Sequence, residues 1–583
     1  MRAFSIVALI VGLVLLLGCG GSGAAPGELA TVMVAANPTS LYPGQSSTVT
    51  ATVSDTSNQG VTWSFSPAGF GTLSSKTANP VTYTPPTNVS TATKVTITAT
   101  STASATASAS VQIAVSALAF DTLVNFGIDN GADVKTSLAQ GTDGNIYGTS
   151  DQGGLNFAGL IFSVSPSGTQ TTFYSFCAQT NCADGGAPEA GLVLSTDGDF
   201  YGTTSGGGAN GHGTVFKITS GGTLTTLYSF CPQPHCPDGT NPSGLVQATE
   251  GNFYGSTYYG GGYTPDCSPN GCGTVFKITP EGTLTTLYSF CLQAGCPDGR
   301  NPSGLIQAAD GNFYGATYTG GIPSANGGGT VFKITPAGTL TTIYSFCSQA
   351  NCADGRYSYA GLIQAADGNV YGTTSGGGAN GYGTVFKLTS GGTLTTLHSF
   401  RAQQGQGQSP ASALIQATDG NFYGTTSGGG DLTCIAPYGC GTVFQITSGG
   451  TLTTLHSFEL IDGAGPWGAL LQATTGNFYG TTSYGIDTPP EFSYGTLFSL
   501  SVGLGPFVSL VSNSGTVGQT DGILGQGFTG TTGVSFNGTS ASFTVVSDTY
   551  LTATVPNGAT TGYVTVTTPS GTLTSNKEFQ ISP

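Results

Sequence analysis

Positive charge is the scarcest feature of this chain. Twelve lysines and arginines stand against 28 aspartates and glutamates in 583 residues, a net charge of −16. Neutralising a phosphate backbone takes clustered cations, so nucleic acid is excluded as a partner. The acidity is spread thinly and acts on solubility, not as a charged patch. Histidine is also rare, with 4 residues. His212, His235, His398 and His456 replace other residues at repeated positions, two of them where tyrosine stands elsewhere. No GxSxG elbow occurs, nor a free cysteine paired with histidine, so nothing singles out a nucleophile. No motif calls for a cofactor. Beyond the N-terminus no stretch has apolar residues at helical spacing. What remains is glycine (94 residues) punctuating runs rich in Thr, Val, Tyr and Phe, an all-β composition. The length exceeds a single core and implies roughly two to four domains.

At the N-terminus Arg2 precedes an apolar run from Ala3 to Leu17, too short for a spanning helix and suited to a signal peptide. "LLGCGG" resembles a bacterial lipobox, which implies cleavage of residues 1–18, lipidation of Cys19 and a membrane anchor made only of lipid. Gly20 is not the aspartate that favours inner-membrane retention, so the outer membrane or cell surface is expected. An ordinary secretory signal is the alternative. The other twelve cysteines all have a near partner: Cys177/Cys182, Cys231/Cys236, Cys267/Cys272, Cys291/Cys296, Cys347/Cys352 and Cys434/Cys440. In an exported chain such local pairs read as disulfides. Six scattered pairs without adjacent histidines are expected neither to assemble four-ligand zinc sites nor to bind any metal.

Residues 19–29 form a flexible tether. From 30 to 116, short alternating runs such as "STVTATV", "VTWSF" and "KVTITAT" suggest a sandwich with Trp63 in its core. This stretch resembles bacterial Ig-like domains. From 505 to 583, "GQGF", "VSFNG" and "VPNGATTGYVTV", with Gly525, Gly527 and Phe528, resemble an IPT/TIG domain, another Ig-like fold. With no basic stretch, it belongs with the extracellular members of that group.

The middle is a repeat. "DGNFYGTTSGGG", with variants, begins at Asp143, Asp197, Glu250, Asp310, Asp367, Asp419 and Thr475, at spacings of 52 to 60 residues. Each unit offers four strand-like runs, as in "GLIQA", "VYGTT", "TVFKL" and "TLTTLHSF", which matches a β-propeller blade. The seventh unit ends at "GTLFSL" without its fourth strand, and a spare one, "FDTLVNF", stands upstream at Phe120–Phe126. That exchange predicts a seven-bladed ring over 118–503 closed by its N-terminal strand. An open solenoid would instead want polar caps. The pattern "DGNFYGTTSGGG…GTVFKIT…GGTLTTLYSF" resembles the Gloeo/Verruco tandem repeat of bacterial surface proteins, a family with no activity to carry over.

In this arrangement the "DGN" and "SGG" turns share one face, and the long variable loops with all six cysteine pairs share the other. Closing a loop of about six residues contributes about 2 kcal/mol, and pre-ordered loops bind at a lower entropy cost. The stapled face is thus the expected working surface, although resistance to proteolysis alone would also explain the staples. Its candidates are the loop tyrosines Tyr258, Tyr259, Tyr263, Tyr318, Tyr357, Tyr359 and Tyr438. Asp184, Asp238, Asp298 and Asp354 could add acceptors for a hydroxyl-rich ligand, or only shape turns. The "DGN" aspartates and repeat tyrosines, such as Tyr147 and Tyr201, read as turn caps and core. The resulting expectation is an all-β protein, a seven-bladed β-propeller flanked by two Ig-like β-sandwich domains, binding polysaccharide or a surface protein without catalysis. The alternatives are a propeller glycosidase or lyase, which needs acids or a His/Tyr/Arg cluster at the mouth of the channel, and an architectural envelope protein.

Overall fold

A computed structural model describes residues 30–582 apart from 43–44, 55–56, 87–88, 90, 263–264, 268, 322–326 and 487–491. The described chain is all-β. Its only helices are single 3-10 turns such as Thr180–Cys182, and none is long and apolar enough to cross a membrane. It divides into two compact units. One takes the segments up to 114 except 41–45 and 85–93, and the other takes those two segments and everything from Val115 onward.

In the first unit the strand Ser47–Ser54 alternates buried and exposed positions throughout, the mark of a sheet with one wet face. It pairs with Thr31–Asn37 on one side and Val81–Thr84 on the other. A second sheet runs Ser108–Val115, Thr93–Ser101 and Val61–Ser66 in order. Trp63 is 5% exposed, and its indole N–H donates to the Ala78 carbonyl at 2.7 Å, which satisfies the one polar atom of a core tryptophan.

The second unit contains seven four-stranded antiparallel sheets, six of them each built by one repeat and the seventh by the last repeat and one strand from upstream of the first. The Phe200–Thr204, Thr214–Ile218 and Leu224–Ser229 sheet is representative, with a short first strand at Val193–Leu194. Its second strand is buried throughout, whereas the fourth keeps partial exposure. The turn "DGN" closes on itself: Asp143 Oδ1 accepts the Asn145 N–H at 3.1 Å, and Oδ2 accepts the Tyr147 hydroxyl at 2.9 Å. In "FYG" the glycine is required by packing. A Cβ on Gly202 would lie 2.5 Å from the Phe216 ring, which fills that space from the neighbouring strand.

The repeat tyrosine reaches into the next sheet. Tyr201 stacks on Phe253 at 4.1 Å and Tyr254 on Phe313 at 3.9 Å. Each pair of successive sheets shares one buried cluster in this way. A further cluster joins the seventh sheet to the first, through Val124, Tyr479 and Leu497 on one side and Ile146, Phe162 and Val164 on the other. The seventh sheet takes its fourth strand from Ala119–Asn125, which pairs with Thr496–Ser501.

The C-terminal part of this unit has two sheets, one through Thr520–Leu524 and Tyr550–Thr554, the other through Gly562–Thr568 and Gly571–Ile581. Phe528 sits in their shared core, and Gly525 leaves room for its ring. Asp521 is an anomaly here. Its side chain is 2% exposed, and its Oδ2 has no hydrogen-bond partner among the described residues. Burial pushes its carboxyl up to about 7, against weaker help from the Gly522 and Ser512 N–H groups. A raised acid stabilises the fold fully below its unfolded value near 3.9, and that stability is lost as pH rises through 7. Asp521→Asn removes the burden, worth roughly 4 kcal/mol at most. The variant is expected to slow hydrogen exchange in 520–524 and 550–554 at pH 8 and to do little at pH 4. A substitution effect of equal size at both pH values would refute the assignment.

Candidate functional site

Two sets of connections emerge from the same edge of every repeat sheet: the loop between second and third strands, and the loop after the fourth. All six disulfides lie in these loops and pair the cysteines locally, Cys177 with Cys182, Cys231 with Cys236, Cys267 with Cys272, Cys291 with Cys296, Cys347 with Cys352 and Cys434 with Cys440. Cys182, Cys267 and Cys352 each end a single 3-10 turn, Thr180–Cys182, Pro265–Cys267 and Ala350–Cys352. Cys352 is structural through its backbone as well as its sulfur. It adopts a left-handed φ of 53°, and its carbonyl accepts the N–H groups of Gly355 and Gly378, both at 2.9 Å. The loop that closes the fourth repeat is thereby tied to the loop between second and third strands of the fifth.

The loop aspartates belong to the same framework. Asp184, fully buried, accepts the Tyr174 hydroxyl at 2.8 Å and the Ala178 N–H at 2.9 Å. Asp238 and Asp298 each accept a tyrosine hydroxyl and the N–H of the first loop cysteine, Cys231 or Cys291. Asp354 accepts from Tyr344 and Ser348. The turn-shaping alternative accounts for one carboxylate oxygen of each of the four, while Oδ1 of Asp238 and of Asp298 is left without a hydrogen-bond partner among the described residues. The sixth repeat has no cysteines in this loop but uses the same device, with His456 donating to Asp462 at 2.8 Å.

What faces outward is set by repeat register. After each loop one residue adopts a left-handed backbone: Asp133, Ala187, Asn241, Asn301, Tyr357, Ser409 and Gly465, with φ between 53° and 63°. Two residues further stand Lys135, Glu189, Tyr359, Ala411 and Trp467, while the third and fourth repeats are one residue shorter here. All four large side chains at this position are exposed. A second such position, four residues after the repeat tyrosine, carries Asp151, Tyr258 and Tyr318, and serine in the other four repeats. Arg300 and Arg356 share a third.

These positions from different repeats converge. Tyr318 stacks on Tyr357 at 5.0 Å and meets Tyr359 edge-on at 5.9 Å. Tyr258 meets Tyr259 edge-on at 4.8 Å. The Arg356 guanidinium lies 5.0 Å from the centre of the Tyr357 ring. Tyr258 is held protonated by burial and then by its neighbours Tyr359, Tyr259 and Tyr318, with Arg300 opposing. Tyr359 is raised by burial and then by the charge of Glu189, from three repeats away.

The opposite side is acidic. Lys135 is ion-paired with Asp133. Burial disfavours its charge, but the bond to Asp133 outweighs that and raises its pKa. Asp151 is raised by burial and then by Asp133, and Glu189 by burial and then by Asp151, with Lys135 opposing in both. Glu189 and Tyr359 keep solvent contact, Tyr359 at 49% exposed, yet protein surrounds them enough to strip hydration.

Of the predicted tyrosines, Tyr258, Tyr259, Tyr318, Tyr357 and Tyr359 come together. Tyr438 is 68% exposed and makes no ring contact with them among the described residues. Tyr263 and Cys19 lie outside the described residues. Sequence reasoning missed Asp133, Lys135, Asp151, Glu189, Arg300 and Arg356. The available signal was their register: they occupy repeat positions where the residue changes chemical class from copy to copy. The expectation that no cysteine pairs assemble is corrected. The sulfurs of Cys267, Cys272, Cys291 and Cys296 all lie within 4.8 Å of one another, because the two loops of the third repeat lie side by side.

Among curated proteins nothing matches the sequence. Solved structures give loose likenesses. An auxiliary nutrient binding protein from Bacteroides ovatus is 10% identical over 81% of this chain and 98% of its own, with a TM-score of 0.34. One from Bacteroides thetaiotaomicron is 9% identical over 81% and 97%, at 0.33. An ulvan lyase of polysaccharide lyase family 25 is 11% identical over 64% and 94%, at 0.34. No ligand follows for this chain from superpositions this loose. The sequence itself is matched by the Gloeobacter/Verrucomicrobia repeat model over residues 38–265, 262–434 and 348–547, so the chain belongs to that repeat family.

Proposed function

We propose that this protein binds an acidic polysaccharide at the cell surface, on the face formed by its stapled loops. The seven repeat sheets form a seven-bladed propeller, a reading supported by the shared cores that run from each sheet to the next and from the seventh back to the first. Ig-like sandwiches flank it, and lipidated Cys19 tethers the whole. The observation that carries the reading is the convergence of five tyrosines with arginine on one face. Tyrosine rings offer the flat apolar surface that stacks on sugar rings, with a hydroxyl at the edge. The repeat region has eight cations, and four of them are the repeat-motif lysines Lys217, Lys277, Lys333 and Lys387. Of the other four, Lys135, Arg356 and Arg401 lie in the loops of this face and Arg300 begins the strand Arg300–Gln307 that follows one of them. In a chain so poor in cations, that placement favours carboxylate or sulfate groups on the ligand.

Catalysis is the second reading, favoured by Glu189 and Asp151. Two carboxyls that burial raises above their ordinary range, with Lys135 opposing, are suited to proton transfer. The test is retention of the oxidised full chain, without its signal peptide, on uronate-containing, sulfated and neutral polysaccharides, with released sugar assayed in the same tubes. Retention on acidic polysaccharides without release supports binding. Release moves the conclusion to the second reading. Equal retention on neutral chains, or none at all, refutes the acidic-ligand assignment.

A further inference from the structure

The third repeat is the one place where two cysteine positions of the repeat coincide. Cys267 and Cys272 lie between its second and third strands, and Cys291 and Cys296 follow its fourth. At the position of Cys272, before "GTVF", the second and fifth repeats carry His212 and Tyr382, and the fourth Gly328. The sixth carries Cys440, but its following loop, 457–463, has no cysteine. Only the third repeat therefore presents four sulfurs, each no more than 5% exposed.

We infer that Cys267, Cys272, Cys291 and Cys296 form a convertible site, two disulfides when oxidised and a four-thiolate site for one soft divalent cation of the zinc class when reduced. The geometry requires little movement. Metal–sulfur bonds of about 2.3 Å place tetrahedral sulfurs about 3.8 Å apart, and the four already lie within 4.8 Å. The conversion balances. A dithiol reductant supplies two electrons and two protons to each S–S bond and becomes a disulfide itself, and the four protons leave as the four thiolates take the cation.

A site of four thiolates and one divalent ion carries two net negative charges, which a buried position tolerates only with compensation. Arg300 is placed to supply it. Its Nη1 donates to the carbonyl of Asp266, the residue before Cys267, at 2.9 Å. The Asp266 carboxylate accepts the N–H of Gly295, the residue before Cys296, at 2.9 Å. The two loops are thus tied by groups other than sulfur, and the cluster keeps its shape when the S–S bonds open. In the oxidised protein the sulfurs act as staples. In the reduced chain the cation replaces them and holds the same loops, next to the strand that carries Tyr258 and Tyr259.

The experiment uses the full chain, oxidised and then reduced without oxygen, titrated with Co2+ as the probe. The expected result is one equivalent with the visible bands of tetrahedral thiolate cobalt, displaced by Zn2+ and absent in the oxidised protein. The variant Cys272→Ser/Cys291→Ser loses the bands, and Cys177→Ser/Cys347→Ser keeps them. Should the first variant not fold, alkylation of the reduced wild type decides the matter. Zn2+ a hundredfold above its Kd slows modification of these four cysteines about a hundredfold and spares none of the other eight. No tetrahedral band, or protection spread evenly over all twelve, overturns the inference.

Discussion

Replacing Tyr318 and Tyr359 together by alanine is expected to weaken binding of the acidic polysaccharide about a hundredfold, while replacing Tyr438 changes it little. Tyr318 is central to the cluster, stacked on Tyr357 and edge-on to Tyr359. Removing both rings takes from Tyr357 its stacking partner and leaves it the Arg356 guanidinium. Buried aromatic anchors are each worth about 1–2 kcal/mol, so two cost about 3 kcal/mol, or roughly two decades of Kd. Tyr438 is an exposed aromatic with no neighbouring ring among the described residues, and its alanine variant controls for surface hydrophobicity. Calorimetric titration of the three proteins with one retained polysaccharide measures this. The repeat cores lie elsewhere, so thermal stability should be unchanged. If Tyr438→Ala matches or exceeds the double variant, the site has been misplaced.

The repeat made most of the fold legible. "DGN", "FYG", "GTVF" and "TLTTLYSF" each have one structural meaning, repeated until it is unmistakable, and the missing fourth strand of the last copy pointed to Phe120–Phe126. The same regularity hid the site. Asp184 and its equivalents recur with the cysteines and so drew notice, but recurrence in every stapled loop is what a structural bond to tyrosine produces. Lys135, Glu189 and Tyr359 share no chemistry and form no motif, although they hold one register position. The gathering of Cys267, Cys272, Cys291 and Cys296 depends on how two loops of different length lie together, which local spacing does not encode. The buried Asp521 was equally hidden, since Asp-Gly in sequence reads as a turn and here lies within the strand Thr520–Leu524.

The pairing of Ala119–Asn125 with the seventh sheet yields the other large effect. Exchanging residues 119–125 for a glycine–serine stretch of equal length should cost on the order of 5 kcal/mol, from the apolar surface of Phe120, Leu123 and Val124, a large share of a typical domain's stability. Phe120 stacks on His456 at 3.7 Å and on Phe498 at 5.2 Å, so the sixth and seventh sheets both lose a partner. Val124 also belongs to the cluster that holds Ile146 and Phe162 of the first sheet. Where the damage spreads is therefore diagnostic. In an open array, loss of this strand would loosen only the end that carries it. In a closed ring it loosens both neighbours of the seam, so hydrogen exchange should rise in 146–150 and 160–164 as well as in 478–482 and 496–501. Protection unchanged in the first sheet would mean that the seventh does not depend on it, and the ring would have to be abandoned.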